Sequence, residues 1–173
     1  MGTLTGQEQA LMDAAQSGDL ETLKALIAQN VNVDVQDDDD DSTALICAAY
    51  LGQIDVIKLL IGCGADLNIQ NKWGNTALVL AAASGHVECV KLLIDAGADL
   101  DIKNNSERTA LGEAVSGRRN ENVIELLKRE PVRRKQEKFK RQADAMTAVV
   151  STLQNGPRRP APALKRRRHS SKL

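Results

Sequence analysis

The chain has 173 residues, 42% hydrophobic but only 2% aromatic, so its apolar mass is Leu, Ile, Val and Ala, suited to thin, closely stacked helices in one ordinary domain plus a tail. No apolar run reaches the roughly 18 to 20 residues that span a bilayer, and Met1–Ala10 lacks a basic-then-apolar signal pattern, so no membrane association and an intracellular location are expected. The formal net charge of zero conceals a division: residues 1–130 hold 10 Lys and Arg against 21 Asp and Glu, and residues 131–173 hold 13 against 2, a balance of −11 beside one of +11.

The first unit, residues 7–36, starts on polar Gln7-Glu8-Gln9 and continues with Leu11, Ala14-Ala15, Gly18, Leu20, Leu23 and Leu26-Ile27, closing on Asn30-Val31-Asn32. The second, residues 37–69, opens on five consecutive carboxylates, Asp37–Asp41. It then runs through Thr43-Ala44-Leu45, Ala48-Ala49, Gly52-Gln53, Val56-Ile57-Lys58-Leu59-Leu60 and Gly64-Ala65-Asp66-Leu67. The third, residues 70–102, carries the same frame: Thr76-Ala77-Leu78, Ala81-Ala82, Gly85-His86, Val90-Lys91-Leu92-Leu93-Ile94 and Gly97-Ala98-Asp99-Leu100. The fourth, residues 103–130, repeats Thr109-Ala110-Leu111 but has Glu107 in place of Gly74, an altered turn at Gly117-Arg118-Arg119-Asn120, and a run into Pro131 with no Gly-Ala-Asp. The triplets recur 33 residues apart, which marks a stacked array whose units bury their apolar faces on their neighbours.

Physical chemistry assigns a part to each recurring residue. Thr43, Thr76 and Thr109 stand where a hydroxyl can accept from the free N–H groups of a new helix. The paired alanines let neighbouring helices approach closely. Gly52 and Gly85 make the turn to a second helix whose Val, Leu and Ile fall at helical spacing. Gly64 and Gly97 suit a helix end in the left-handed region. Each unit is therefore predicted to be helix–turn–helix plus an extended loop.

This frame resembles the ankyrin repeat, roughly D-x-x-G-x-T-P-L-H-x-A-A-x-x-G-H followed by V-x-L-L-L and G-A-D-V-N, over about residues 7–130. The resemblance implies an all-α ankyrin-repeat solenoid. Polar, atypical outer units suggest a whole four-repeat array. Two departures stand out: Ala44, Ala77 and Ala110 replace the pattern's Pro, and Ile46, Val79 and Gly112 replace its His, so the hydrogen bonds of that His are expected to be missing from the loops.

In ankyrin proteins the loop tips and the exposed side of each first helix form a concave protein-binding surface. Carried onto this chain, it comprises Asp38, Asp39, Asp40, Asp41, Ser42, Tyr50 and Leu51; Lys72, Trp73, Asn75, Ala83 and Ser84; and Asn105, Ser106 and Arg108. The one Trp and one Tyr of the chain both fall on it, and these residue types dominate binding energy at interfaces. The acidic run points to a basic protein partner, with charge steering the encounter. A calcium loop of the EF-hand kind starting at Asp37 fails, because Ser42 stands where Gly belongs and Ala48 where Glu belongs.

No hydrolase, metalloprotease or phosphate-loop motif occurs, and His86 falls in the family's Gly-His turn, so no catalytic, cofactor-binding or metal-ligating residue is expected. Cys47, Cys63 and Cys89 include no C-x-x-C pair and read as reduced, mostly buried apolar side chains. A monomer is the expected state.

Beyond the repeats, residues 131–154 keep helical spacing through Phe139, Ala143, Met146, Val150 and Leu153, a basic amphipathic helix. Residues 155–173, rich in Pro and Arg, read as a disordered basic tail. Lys165-Arg166-Arg167-Arg168 resembles a nuclear import signal and equally suits phosphate backbones of nucleic acid. Ser171-Lys172-Leu173 matches the peroxisomal address. Cytosol or nucleus and peroxisome therefore stand as alternative locations. The leading functional expectation is a non-enzymatic scaffold or adaptor, beside a nucleic-acid-associated regulator and a tail that folds back onto the acidic body.

Overall fold

The computed structural model describes residues 4–117 and 120–130 and the single positions 140 and 144. The expectations for the 131–154 helix, the basic tail, Lys165–Arg168 and Ser171–Leu173 lie outside these residues.

Seven helices have described bounds: α1 Gly6–Ser17, α2 Leu20–Ala28, α3 Ala44–Leu51, α4 Ile54–Gly62, α5 Ala77–Ser84, α6 Val87–Asp95 and α7 Ala110–Gly117. An eighth, α8, covers residues 121–130. No strand occurs among the described residues, and the molecule is an all-α ankyrin-type stack. The first helices of successive units, α1, α3, α5 and α7, pack side by side in one row, and α2, α4 and α6 form a second, looser row.

The difference between the rows follows from their residues. Ala44, Leu45, Ile46, Ala48 and Ala49 of α3 and Ala77, Leu78, Val79, Ala81 and Ala82 of α5 are all buried, because each helix is covered on both sides by its neighbours in the row and on a third by its partner. Only small side chains permit that approach. Helices α4 and α6 bury one stripe each, Val56, Ile57 and Leu60 in the first and Cys89, Val90, Leu93 and Ile94 in the second. Val115 of α7 occupies the place of Ala49 and Ala82, yet it is half exposed, since among the described residues no further helix pair packs on it.

The caps behave as the threonines predict. The hydroxyls of Thr43, Thr76 and Thr109 accept from the N–H groups of Ile46, Val79 and Gly112, each at 3.3 Å. Thr5 adds a reciprocal pair with Glu8 at the first helix. At the turns, each unit reaches back to the one before it: Gln53 Nε2 donates to the Gln16 carbonyl at 3.3 Å, and Asn120 Nδ2 to the Gly85 carbonyl at 3.1 Å. His86 Nε2 meets the Tyr50 carbonyl at 3.1 Å. A carbonyl only accepts, so this contact fixes Nε2 as the protonated nitrogen and gives His86 a structural part. The ring lies so close to Gly52 that a Cβ there would stand 2.8 Å from it.

The loops between units hold each other without the pattern's His. Asn71 Oδ1 accepts from the Trp73 and Asn75 N–H groups, and Asn104 Oδ1 accepts from those of Ser106 and Arg108. Gln36 and Gln70 each donate to a carbonyl of their own loop and one of the next: Gln36 to Asp41 and Gln70, Gln70 to Gly74 and Lys103. Backbone bonds from Lys72 to Asp40 and from Asn105 to Trp73 complete the ladder. Ile46 and Val79, in the place of the family's His, are each 2% exposed and belong to the core. Apolar packing and amide side chains thus replace the hydrogen bonds that were expected to be missing.

The acidic loop is one residue longer than its two successors. Asp37 takes the part of Asn71 and Asn104, its Oδ1 accepting from the Asp40 and Ser42 N–H groups. The 33-residue spacing therefore holds from Asp39 onward and slips by one between Asp37 and Asp39. The cysteines also depart from expectation: Cys89 is buried, Cys47 half-buried and Cys63 exposed, because Cys63 follows α4 at its solvent end rather than lying on its apolar stripe.

Candidate functional site

Trp73 is held out on its loop by the Asn71 side chain below it and by Asn105, which donates its N–H to the Trp73 carbonyl at 3.0 Å. The indole is 49% exposed. The Lys72 ammonium stands 4.6 Å from the centre of the ring and donates to the Asp39 carbonyl. Tyr50, near the end of α3, is 58% exposed, and Leu51 beside it 47%. His86 holds the Tyr50 backbone, so the turn of one unit fixes the aromatic residue of another.

Between these two aromatic residues lies a groove of about 380 Å³, lined by Asp40, Ser42, Ile46, Cys47, Tyr50, Asn71, Trp73 and Leu80. An adjoining depression of about 480 Å³ is lined by Tyr50, Leu51, Ala83, Ser84 and His86. Tyr50 is the ridge that divides them.

The groove's electrostatics are one-sided. Burial pushes the Asp37 carboxyl above the usual carboxylate range, and the neighbouring Asp40 adds to the rise against the pull of two backbone N–H groups. Burial and the charges of Asp37 and Asp40 push the Cys47 thiol up to about 11, so Cys47 lines the groove as a neutral, weakly polar wall. Asp38, Asp39 and Asp41 are exposed on the same loop. Among the described residues no His, Cys, Asp and Glu converge into a metal-holding group, the acidic loop included.

Of the surface residues read from the sequence, Asp40, Ser42, Tyr50 and Trp73 come together in the groove, and Tyr50, Leu51, Ala83 and Ser84 in the depression. Ser42 is buried, its hydroxyl accepting from Asn71 Nδ2 at 3.4 Å, so it forms floor rather than an offered side chain. Asn75 is half-buried and accepts from Asn104 Nδ2 at 2.9 Å. Asp38, Asp39, Asp41, Lys72, Asn105, Ser106 and Arg108 stay exposed on the loops, outside both hollows, with Arg108 3.7 Å from Glu113. Ile46, Cys47, Asn71, Leu80 and His86 were not among the surface residues read from the sequence. Cys47 was legible, since it sits one helical turn before Tyr50 on the same side of α3.

A family model described as ankyrin repeats (three copies) matches residues 3–71 and, again, residues 48–137. Among curated proteins, the chain is similar to serine/threonine-protein kinase 12 of Arabidopsis thaliana, 38% identical over 65 residues that make up 38% of this chain and 14% of the kinase. It is also similar to the mitochondrial liver isoform of glutaminase from Rattus norvegicus, 42% identical over 66 residues, 38% of this chain and 11% of the glutaminase. The chain thus spans a small fraction of either relative, a stretch of about two of its own 33-residue periods.

Proposed function

The chain belongs to the ankyrin-repeat family, a fold that mediates protein–protein interaction, and on that premise we propose that it is a non-enzymatic adaptor that holds a protein partner against the surface around Trp73 and Tyr50. One observation carries this reading: the only Trp and the only Tyr of the chain stand half-exposed at one groove, anchored by hydrogen bonds from Asn71, Asn105 and His86. Exposed aromatic residues on a rigid support are the kind of side chain that dominates interface energies. The kinase and glutaminase similarities cover only 14% and 11% of those proteins, and the activities in their names are not carried over in this reading. The acidic loop favours a basic partner, reached by a monomer through electrostatic steering. The remaining loop residues, Asn105, Ser106 and Arg108 among them, extend the surface toward the fourth unit.

Affinity capture with wild type, with Trp73→Ala, and with Asp38–Asp41 replaced by Asn tests the reading. A partner retained by wild type and lost from both folded variants is expected; equal recovery by a folded combined variant overturns it. The location follows the partner, and we place the protein in the cytosol or nucleus, with the peroxisome as the alternative offered by Ser171-Lys172-Leu173. The +11 balance of residues 131–173 favours a second reading, a nucleic-acid-associated regulator. Salt-sensitive binding of DNA or RNA that disappears on deleting residues 156–173 is its test; binding unchanged by that deletion refutes it.

A further inference from the structure

We propose that the groove between Tyr50 and Trp73 is a seat for one arginine side chain of a partner peptide, its guanidinium against the aromatic rings and hydrogen-bonded to the Asp40 carboxylate. This rests on the protein-docking reading above and specifies what the groove takes.

Size comes first. A hollow of about 380 Å³ holds one long side chain with its stem and is too small for the apolar face of a docking helix. Its walls divide accordingly. Ile46, Leu80 and the neutral Cys47 offer apolar surface to a methylene stem. Trp73 and Tyr50 offer ring faces and edges to a flat cation. Asp40 lines the groove; its carboxylate accepts from the Ser42 N–H at 3.1 Å and shares a side-chain hydrogen bond with Asp37, and its remaining lone pairs can take N–H donors.

Charge points the same way. No Lys or Arg lines the groove, and its one charged wall, Asp40, belongs to the loop that also carries exposed Asp38, Asp39 and Asp41. The Lys72 ammonium lies 4.6 Å from the centre of the Trp73 ring, so the indole already attracts a cation, and an arriving guanidinium displaces that ammonium or takes the ring surface it leaves uncovered. A guanidinium suits the groove better than an ammonium. It is flat, more weakly hydrated, stacks on aromatic faces and presents paired donors to a carboxylate, whereas an ammonium keeps its water more tightly.

Trp73 is the only tryptophan in the chain, so its fluorescence reports on the groove directly. The probe is the peptide acetyl-Gly-Leu-Arg-Ala-Gly-amide, titrated into the full chain beside its lysine and citrulline counterparts. Citrulline keeps the shape of arginine without its charge. The arginine peptide is expected to give a saturating change in Trp73 emission, with the citrulline peptide weaker by about tenfold or more and the lysine peptide by several-fold. Asp40→Asn keeps an oxygen for the Ser42 N–H and removes a charge facing Asp37, so it should fold with an equal or slightly higher thermal midpoint, and Tyr50→Ala changes an exposed side chain and should leave the midpoint unchanged. Each is expected to weaken the arginine peptide by about fivefold or more. Citrulline or lysine binding equal to arginine overturns the proposal, as do indifference to Asp40→Asn and no saturation up to about 10 mM. The two readings fail separately. If captured partner depends on Trp73 and Tyr50 but not on Asp40, the docking surface stands and the arginine seat falls. If the peptides behave as expected while Trp73→Ala leaves capture unchanged, the seat stands and the docking reading falls.

Discussion

Gly74 and Glu107 occupy the same place in successive loops, and both backbones are left-handed, with φ of 75° and 59°. The structure nevertheless predicts opposite outcomes for exchanging their residue types. A Cβ on Gly74 would stand 2.6 Å from Asn105 Oδ1, 2.8 Å from the Asn105 nitrogen and 3.0 Å from Asn104 Cα. Two of these neighbours are backbone and cannot rotate away. The next loop would have to retreat, stretching the bonds from the Asn105 N–H to the Trp73 carbonyl and from Asn105 Nδ2 to the Lys72 carbonyl, both 3.0 Å. The left-handed conformation costs an alanine about 1 kcal/mol, and each weakened bond about 0.5–1 kcal/mol. A few tenths return because alanine restricts the unfolded chain more than glycine does. Gly74→Ala should therefore lose about 2–3 kcal/mol, while Glu107→Gly relieves left-handed strain and should be neutral or gain about 0.5 kcal/mol. Its exposed pair with Lys103, at 3.1 Å, offsets little of that gain. Urea denaturation followed by circular dichroism measures both. An Asn105→Ala background separates the contributions: it removes the Oδ1 clash and leaves the backbone clashes, so most of the loss should persist. A Gly74→Ala loss below about 0.5 kcal/mol, or an equal loss from Glu107→Gly, would refute the close-approach argument.

Asp37→Asn should stabilise the fold at neutral pH by about 0.5 kcal/mol, since Asn71 and Asn104 do the same work without charge in the other loops. The sign follows from the raised carboxyl: its contribution is fully present below the unfolded value and lost as pH rises through the folded one, so the gain should vanish near pH 3.5. Thermal melts at both pH values check this, and a pH-independent difference would count against it. Iodoacetamide at pH 8 should modify exposed Cys63 first, with Cys47 slower by about 30-fold or more because of its raised pKa and buried Cys89 also delayed; peptide mapping reads the order, and early labelling of Cys47 would contradict its assigned environment. Thr76→Ala should lose about 1–2 kcal/mol, because both the hydroxyl and the Val79 N–H it serves are buried, and Thr5→Ala at an exposed cap should lose less. Equal losses would show that burial does not set the value of these caps.

The stacking was legible because each packing role recurs in the same place. Thr43, Thr76 and Thr109 cap, Ala48-Ala49 and Ala81-Ala82 pack, and a position that repeats its residue type declares a repeated environment. The acidic loop was not legible, for a simple reason. In five identical residues no pattern says which one is extra; only hydrogen bonding shows Asp37 in the place of Asn71. Ile46 and Val79 carried information that was read only as a missing histidine. Both entered the core, and the loop hydrogen bonds passed to Gln36, Gln70, Asn71 and Asn104, residues whose reach across units depends on three-dimensional neighbours that spacing does not reveal.

A groove on a repeat protein requires that the repetition fail locally, and here it fails by size. Tyr50 stands one period before Ala83, and Trp73 has Asp40 and Ser106 as its counterparts. A large side chain in one unit facing a small one in the next leaves a hollow on each side of the large one, which is how Tyr50 comes to divide the groove from the depression. Were Tyr50 an alanine like Ala83, the two hollows would merge into one shallow trough without an aromatic wall. Were Ala83 a tyrosine, the depression would fill. The buried positions beneath are nearly invariant from unit to unit, so such exchanges leave the stack intact. The core therefore sets how rigidly Tyr50 and Trp73 are held, and the surface departures set what they are held against.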